Sequence, residues 1–358
     1  MAVHFHTLKV KAIKRETPSC ISVSLAVPEE LKSDYVFTHG QNITLKKIIN
    51  GEELRRSYSI CSAPFENELK VAIKKVDEGK FSTWANDFLR EGDVIDVLPP
   101  TGKFNTALKA DNKKNYLAIA AGSGITPILS IIKTTLQTES QSSFTLVYGN
   151  KNRNNIIFFE ELEGMKNKYL SRFTFINILS REKTDIALNF GRIDTEKLNQ
   201  LSKLISYRSM DDFFICGPEE MIFCVKNYLE AAGIDKKKIH FELFTSSGQR
   251  KSTNQKPQTQ HSGSTSKISV KVDGRSFDFN IPFDSDETIL DAALQQGADL
   301  PFACKGGMCC TCKAKLLKGE VNMDVHWGLE HEEIEQGFIL TCQAHPKTEE
   351  VAVDFDVK

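Results

Sequence analysis

The sequence predicts a multidomain chain: an antiparallel β-barrel, then an α/β domain on a parallel sheet, then a smaller α+β domain. Three observations carry this reading. Residues 1–108 run as short alternating apolar and polar stretches punctuated by Gly and Pro, the patterning of short barrel strands. From about residue 115, continuous apolar runs alternate with amphipathic ones, as buried strands and covering helices do in a parallel sheet. Residues 246–266 contain no large apolar side chain, so that stretch cannot bury anything and sets the last domain apart as a flexible linker.

The elements come in order. In 1–108, strands are expected over 20–27 and 69–76, with one helix over 81–90. In 112–245, strand and helix alternate four times: 116–121 with 127–136, 144–148 with 158–168, 173–179 with 195–203, and 213–216 with 219–232. In 267–358, strands over 268–272 and 277–281 form a hairpin, and a helix over 287–296 is capped by Asp286 and stopped by Gly297. The chain has 358 residues, 40% hydrophobic and 26% charged, with a net charge of −1. That balance is ordinary for a globular protein and gives no ground for nucleic acid as a partner. No apolar run approaches the roughly 18 residues that would span a membrane. The opening residues alternate like a strand and lack a signal-peptide core.

The nine cysteines decide the chemistry of the last domain. Cys304, Cys309 and Cys312 stand in one loop, and Cys342 comes after a gap of 29 residues, giving C-x4-C-x2-C…C. That is the ligand spacing of a plant-type [2Fe–2S] ferredoxin, so the third domain is expected to be a β-grasp ferredoxin that moves one electron at a time. Gly306 and Gly307 suit a loop that must turn its backbone N–H groups toward sulfur. Cys310 would replace Cys309 only by changing the spacing to C-x5-C-x1-C and is read as a bystander. A four-cysteine zinc site is the rival assignment, although structural zinc favours paired cysteines two to four residues apart.

Upstream, Ala121-Gly122-Ser123-Gly124-Ile125-Thr126 succeeds a buried strand and opens a helix, a junction that admits a phosphate. Arg56-Ser57-Tyr58-Ser59 closes a strand in the barrel region, Gly79-Lys80-Phe81-Ser82 opens its helix, and Cys216-Gly217-Pro218 ends the last of the parallel strands. Together and in this order, these motifs resemble the ferredoxin–NADP reductase superfamily. With a ferredoxin at the C-terminal end, the arrangement is similar to the reductase subunits of phenylacetyl-CoA epoxidases and their relatives.

The resemblance implies a flavin-binding barrel, with FAD rather than FMN, followed by a nicotinamide-binding domain. It implies that Arg56 and Ser57 hold the flavin pyrophosphate end, Tyr58 stacks on the ring system, and Ser59 sits beside its reactive nitrogen. Ala72, Ile73 and Lys74 would border the flavin with backbone; Lys80, Phe81 and Ser82 would cradle pyrophosphate at a helix start. Gly122, Ser123, Gly124 and Thr126 would line the meeting point of flavin and nicotinamide. Cys216, Gly217 and Pro218 would lie by the nicotinamide ring, Glu242 would act with Ser59 and Cys216, and Phe244 would shield the other flavin face. Ser180 and Arg181 would meet the 2′-phosphate of NADPH, with NADH the other candidate.

The resemblance also implies the electron path, from NADPH to FAD to the [2Fe–2S] cluster of Cys304, Cys309, Cys312 and Cys342, then to a partner oxygenase. The expected partner is a di-iron enzyme acting on phenylacetyl-CoA. Another oxygenase, hydroxylase or desaturase is the alternative, and a zinc-stabilised interaction module is the non-enzymatic one. Cysteine usage fits a reducing, cytoplasmic compartment. His331 and His345 are read as ordinary surface residues, and the polar run 151–155 as a solvated loop near the nucleotide.

Overall fold

The computed structural model describes residues 4–244 and 265–357. They fall into two compact units, the larger holding Thr7–Leu54 with Tyr58–Phe244 and the smaller holding residues 4–6, Arg55–Ser57 and the stretch from residue 265 onward. The linker read over 246–266 lies outside the described residues except for Thr265 and Ser266, which already belong to a strand.

The larger unit begins with β1 (His6–Thr17), β2 (Cys20–Ala26), β3 (Asn42–Ile49), β4 (Glu52–Ser59), β5 (Leu69–Lys74), helix α1 (Lys80–Phe88) and β6 (Val94–Thr101). The strands order as β4-β3-β6-β1-β2-β5. An antiparallel bridge from Ile60, just past β4, to Val71 of β5 joins the two edges and closes the barrel. Closure removes exposed sheet edges, and the alternation of each strand turns Leu8, Val10, Ile21, Val23, Ile43 and Val97 into one core. Helix α1 adds Phe81 and Ala85, four apart on one face, to that core.

The same unit continues with β7 (Asn115–Ala121), α2 (Ile125–Thr138), β8 (Ser143–Asn150), α3 (Phe159–Lys168), β9 (Phe173–Leu179), α4 (Thr195–Leu201), β10 (Asp212–Gly217), α5 (Glu219–Ala231) and β11 (Ile239–Leu243). All five strands are parallel, in the order β11-β10-β7-β8-β9. β7 is covered on both faces, so Tyr116 to Ala120 are buried without alternation. The fifth strand, β11, is absent from the sequence-based expectation. The chain winds outward from β7 through β8 and β9, then returns to the other side of β7 with β10. The crevice at the C-terminal ends of β7 and β10 is therefore the topological switch point, where open α/β sheets bind ligands.

Helix α2 is buried nearly all round because the barrel packs on the face that the sheet leaves free. Ser130 Oγ donates to the Ser62 carbonyl at 2.6 Å, and the Lys133 ammonium is clamped between Glu66, at 2.9 Å, and Glu161. A buried cation needs such pairing, since an unpaired one costs several kcal/mol. Just past α2, the fully buried Glu139 carboxylate accepts from Tyr116 Oη at 2.9 Å, Ser142 Oγ at 2.7 Å and Asn112 Nδ2 at 2.6 Å. The Ser130–Ser62 and Lys133–Glu66 contacts fix barrel and sheet together, while the Glu139 bonds brace the far end of α2 against β7.

The smaller unit contains β12 (Thr265–Val272), β13 (Arg275–Pro282), α6 (Ile289–Gln295), β14 (Lys313–Lys318), β15 (Val321–Met323), α7 (His331–Glu335), β16 (Phe338–Leu340), β17 (Ala344–Pro346) and β18 (Glu350–Asp354). A mixed sheet β13-β12-β18-β14-β16 is packed by α6, and β15 pairs β17 separately. The expected hairpin is β12 with β13. The helix start differs from expectation: Thr288, not Asp286, is the cap, its side chain accepting from Asp291 N at 3.2 Å. Gly297, at φ +82°, ends the helix, in line with the sequence pattern. No helix among the described residues is long and apolar enough to cross a membrane.

Candidate functional site

At the switch point the residues picked from sequence converge. Gly122–Gly124 form a single 3₁₀ turn between β7 and α2, so the helix N-terminus opens straight onto the crevice. Gly124 must be glycine for space rather than for φ: a Cβ there would lie 2.1 Å from the Cys216 carbonyl oxygen. The turn is held from behind by Tyr148, whose hydroxyl donates to the Gly122 carbonyl at 2.8 Å, and by Thr126 Oγ1 donating to the Ser123 carbonyl at 3.0 Å. Gly217 and Pro218 come directly after Cys216 and lead into α5, with Pro218 as its cap residue.

Across the crevice, Ser59 ends β4 and is 4% exposed. Its Oγ donates to Glu242 Oε2 at 2.9 Å, joining the barrel to β11. Glu242 and Cys216 are register partners on neighbouring parallel strands. Burial raises the Glu242 carboxyl to about 7, with the Ser59 hydrogen bond pulling the other way. Burial, and then the Glu242 charge, push the Cys216 thiol well above its ordinary value, so it stands there as a neutral, packed group. Three residues far apart in sequence thus make one polar cluster at the crevice floor.

The barrel side is more mixed. Tyr58 packs at 5.8 Å and 37° on Phe81, and both lie near the start of α1. Phe81 is itself buried in the barrel core, and Lys80 pairs with Glu52. The Ser82 hydroxyl is used locally, donating to the Gly79 carbonyl and accepting from Val76 N, each at 3.2 Å. The α1 start therefore offers a ligand its backbone N–H groups, unpartnered by position in a first turn, not those three side chains. Arg56 is half-buried on β4, its guanidinium donating to the Arg55 carbonyl at 2.7 Å, with Ser57 half-buried beside it. Ala72 and Ile73 are buried in β5.

Lys74 has a side-chain position that sequence reading missed. Its ammonium reaches the turn at Gly122, where an added Cβ would lie 3.0 Å from Nζ. Burial draws Lys74 below the usual lysine range, and the Lys151 charge adds to that. A desolvated cation against a phosphate-admitting turn is the electrostatic signal, and only the fold brings the two together. Ser180 and the exposed Arg181 come after β9, their backbone N–H groups donating to the carbonyls of Asn150 at 2.9 Å and Lys151 at 2.8 Å. Phe244 stands directly after β11 and is 44% exposed.

In the smaller unit the four cysteines come together in two interacting pairs, Cys304 with Cys309 and Cys312 with Cys342. Among the described residues, no three His, Cys, Asp or Glu side chains converge on one point as a single ion requires. Two thiol pairs are the donor set that two bridged irons take. The Cys309 thiol donates to Cys304 and lowers it below the ordinary thiol value, against burial, and the Gly306 N–H adds a bond to Cys304 Sγ at 3.3 Å. The Thr311 hydroxyl is buried in the middle of the loop beside the Cys309 thiol, which it acts to lower. Cys310 points elsewhere, its thiol donating to the Gly328 carbonyl at 2.7 Å. Of the two glycines expected to turn the loop, only Gly307 does, at φ +74°; Lys305 and Cys310 take the other left-handed positions, at +49° and +55°. His345 is not a surface bystander: Nδ1 meets the Glu287 carbonyl and Nε2 meets Asp324 Oδ2, both at 3.1 Å.

Comparison with known proteins agrees with this geometry. The chain matches the oxidoreductase FAD-binding domain over residues 7–106, the oxidoreductase NAD-binding domain over 118–227 and the 2Fe-2S iron-sulfur cluster binding domain over 270–347. It is 45% identical to a 1,2-phenylacetyl-CoA epoxidase subunit of Escherichia coli K12, over 99% of this chain and 98% of that one. It is 31% identical to the ferredoxin reductase component of 3-ketosteroid-9-alpha-monooxygenase from Rhodococcus rhodochrous, over 97% and 96%. Phthalate dioxygenase reductase shares the fold, with a TM-score of 0.58, 24% identity and 98% coverage of both chains. Fold and site thus define a flavin- and nicotinamide-dependent oxidoreductase with a built-in [2Fe–2S] domain. Within that class, the chain belongs to the ferredoxin reductase-type family of oxygenase reductase components.

Proposed function

We propose that this chain supplies electrons from NADPH to a di-iron oxygenase acting on phenylacetyl-CoA. The observation that carries this is the end-to-end identity with the epoxidase polypeptide of Escherichia coli, which extends through the cluster domain. Bound FAD supplies the conversion of a two-electron hydride into single electrons, and the cluster holds one of them at a time. The protein's part is to place, orient and insulate these groups. The α1 start and Arg56 bind pyrophosphate, Tyr58 covers one face of the flavin and Phe244 the other. Gly124, by lying against the Cys216 carbonyl, leaves room for a nicotinamide ring over the crevice floor. Lys74 supplies a positive charge to the same turn. Ser59 and Glu242 hold a proton between barrel and sheet at the reacting edge.

The ligands of the cluster domain are Cys304, Cys309, Cys312 and Cys342. Four reduced thiols in a cluster suit the cytoplasm. The decisive experiment is reconstitution with the purified di-iron epoxidase subunits. NADPH oxidation should couple to epoxidation of phenylacetyl-CoA, and the chain should copurify with those subunits from its own cells. Electron delivery only to some other oxygenase would overturn the assignment.

Choice of nucleotide rests on Arg181, exposed just beyond β9. Arg181→Ala should weaken NADPH binding about 10- to 150-fold, the equivalent of about 1.5–3 kcal/mol for a hydrogen bond to a charged group, and leave NADH binding unchanged. Competition titrations with both nucleotides measure it. An equal loss for both would remove Arg181 from the 2′-phosphate site.

A further inference from the structure

We propose that Gln343 is the positioning residue that sets the potential of the cluster, by pinning the three-cysteine loop to the segment of the fourth ligand. This rests on ligation by Cys304, Cys309, Cys312 and Cys342. Gln343 stands next to Cys342 and is 8% exposed. Its Nε2 lies 2.9 Å from the Lys305 carbonyl and 2.9 Å from the Cys342 carbonyl. Both neighbours are acceptors only, so the amide nitrogen, not its oxygen, must face them. The same nitrogen stands 3.8 Å from Cys342 Sγ.

The carboxamide therefore does two things at one place. It holds Lys305 in its left-handed conformation by its carbonyl, and it holds the next turn of the loop close. A Cβ on Gly307 would lie 3.2 Å from Gln343 Cγ, so glycine lets the loop lie down on this side chain. The backbone of Gln343 is fixed in turn, its N–H donating to the Leu340 carbonyl at 2.9 Å and its carbonyl accepting from Asp324 N at 3.0 Å. The positive end of a rigid amide dipole is thus turned toward a ligand sulfur. Hydrogen bonds and dipoles aimed at sulfur favour the more negative, reduced cluster and raise its potential.

The test uses the full-length protein, reconstituted anaerobically with iron and sulfide, and compares Gln343→Met and Gln343→Glu with the parent. Both variants keep the length of the side chain and lose its N–H donors. The midpoint of the cluster is read by following its paramagnetic signal through a redox titration. Gln343→Met should lower the reduced-to-oxidised ratio at fixed poise about threefold. Gln343→Glu should lower it about tenfold, which is about 59 mV for a one-electron couple. Both clusters should also bleach faster in chelator. Unchanged midpoints in cluster-loaded variants would overturn the proposal, because a merely structural side chain moves stability and not potential. Failure of both variants to take up any cluster would overturn it too, since Gln343 would then build the site rather than tune it. A parent protein that shows no paramagnetic signal with NADPH would instead sink the cluster assignment itself.

Discussion

Replacing Cys342 by serine should leave a protein that still oxidises NADPH with a two-electron dye, within about twofold of the parent, yet delivers electrons to a protein acceptor at least about a hundredfold more slowly. Outer partners of metal ligands are worth 10–100-fold in affinity or activity, and a ligand is worth more than its partners. Cys342 is the informative choice because it comes from outside the loop. Its segment is tied to Cys312 by Thr341, whose N–H and hydroxyl both reach the Cys312 carbonyl, at 3.2 and 3.0 Å. Loss of that one thiol breaks the Cys312–Cys342 pair and leaves the Cys304–Cys309 pair standing. Iron content and the paramagnetic signal after NADPH should fall together. Cys310→Ser is the matched control: its thiol is bonded to Gly328, so cluster and delivery should stay within about twofold of the parent. Cluster loss in Cys310→Ser with retention in Cys309→Ser would move the ligand to Cys310 and reverse the reading.

The cluster domain is legible in the sequence because ligation is a local constraint. Three of four ligands must come from one loop, so their spacing survives in the sequence. The conformational detail of that loop is not legible: Gly306 looks as suitable as Gly307, and only the packed partners Val325 and Gln343 show which of them must turn. The helix cap shifts from Asp286 to Thr288 for a similar reason, since several polar residues precede Ile289 and tertiary packing chooses among them. In the larger unit, strand and helix alternation marks the four strand–helix pairs. The edge strand β11 escapes that pattern because no amphipathic run comes after it in the sequence, although its Glu242 stands out as a site residue. The chemistry around Glu242 is the least sequential part of the site. Ser59 lies 183 residues away, and Lys74 meets Gly122 only through closure of barrel on sheet. At the α1 start the sequence suggests more phosphate-binding side chains than the fold provides, since Phe81 serves the barrel core and Ser82 its own turn.

The polar cluster at the crevice floor makes the second large prediction. Glu242 has a carboxyl held near 7 by burial, against an ordinary value of 4.5. Between those values the folded protein binds a proton that the unfolded chain has released. The contribution to stability is therefore complete below about pH 4.5 and is lost as pH rises through about 7. The difference corresponds to up to about 3 kcal/mol. Glu242→Gln, which cannot charge, should make the cofactor-free protein more stable than the parent at pH 8 by up to that amount and no more stable at pH 4.5. Denaturant titrations at the two pH values measure it. The same substitution should slow reduction by NADPH about 10²- to 10⁴-fold, the range for a positioned acid–base group, and flatten the pH dependence of that step near 7. Ser59→Ala should shift the midpoint of the profile upward, because the hydroxyl donates to the charged form of Glu242 and its removal favours the proton. A parent profile that runs flat through pH 7, together with full activity in Glu242→Gln, would leave the carboxyl with packing alone. A gain in stability at pH 8 with loss of turnover would show that the protein keeps a costly buried carboxyl for the reaction and not for the fold.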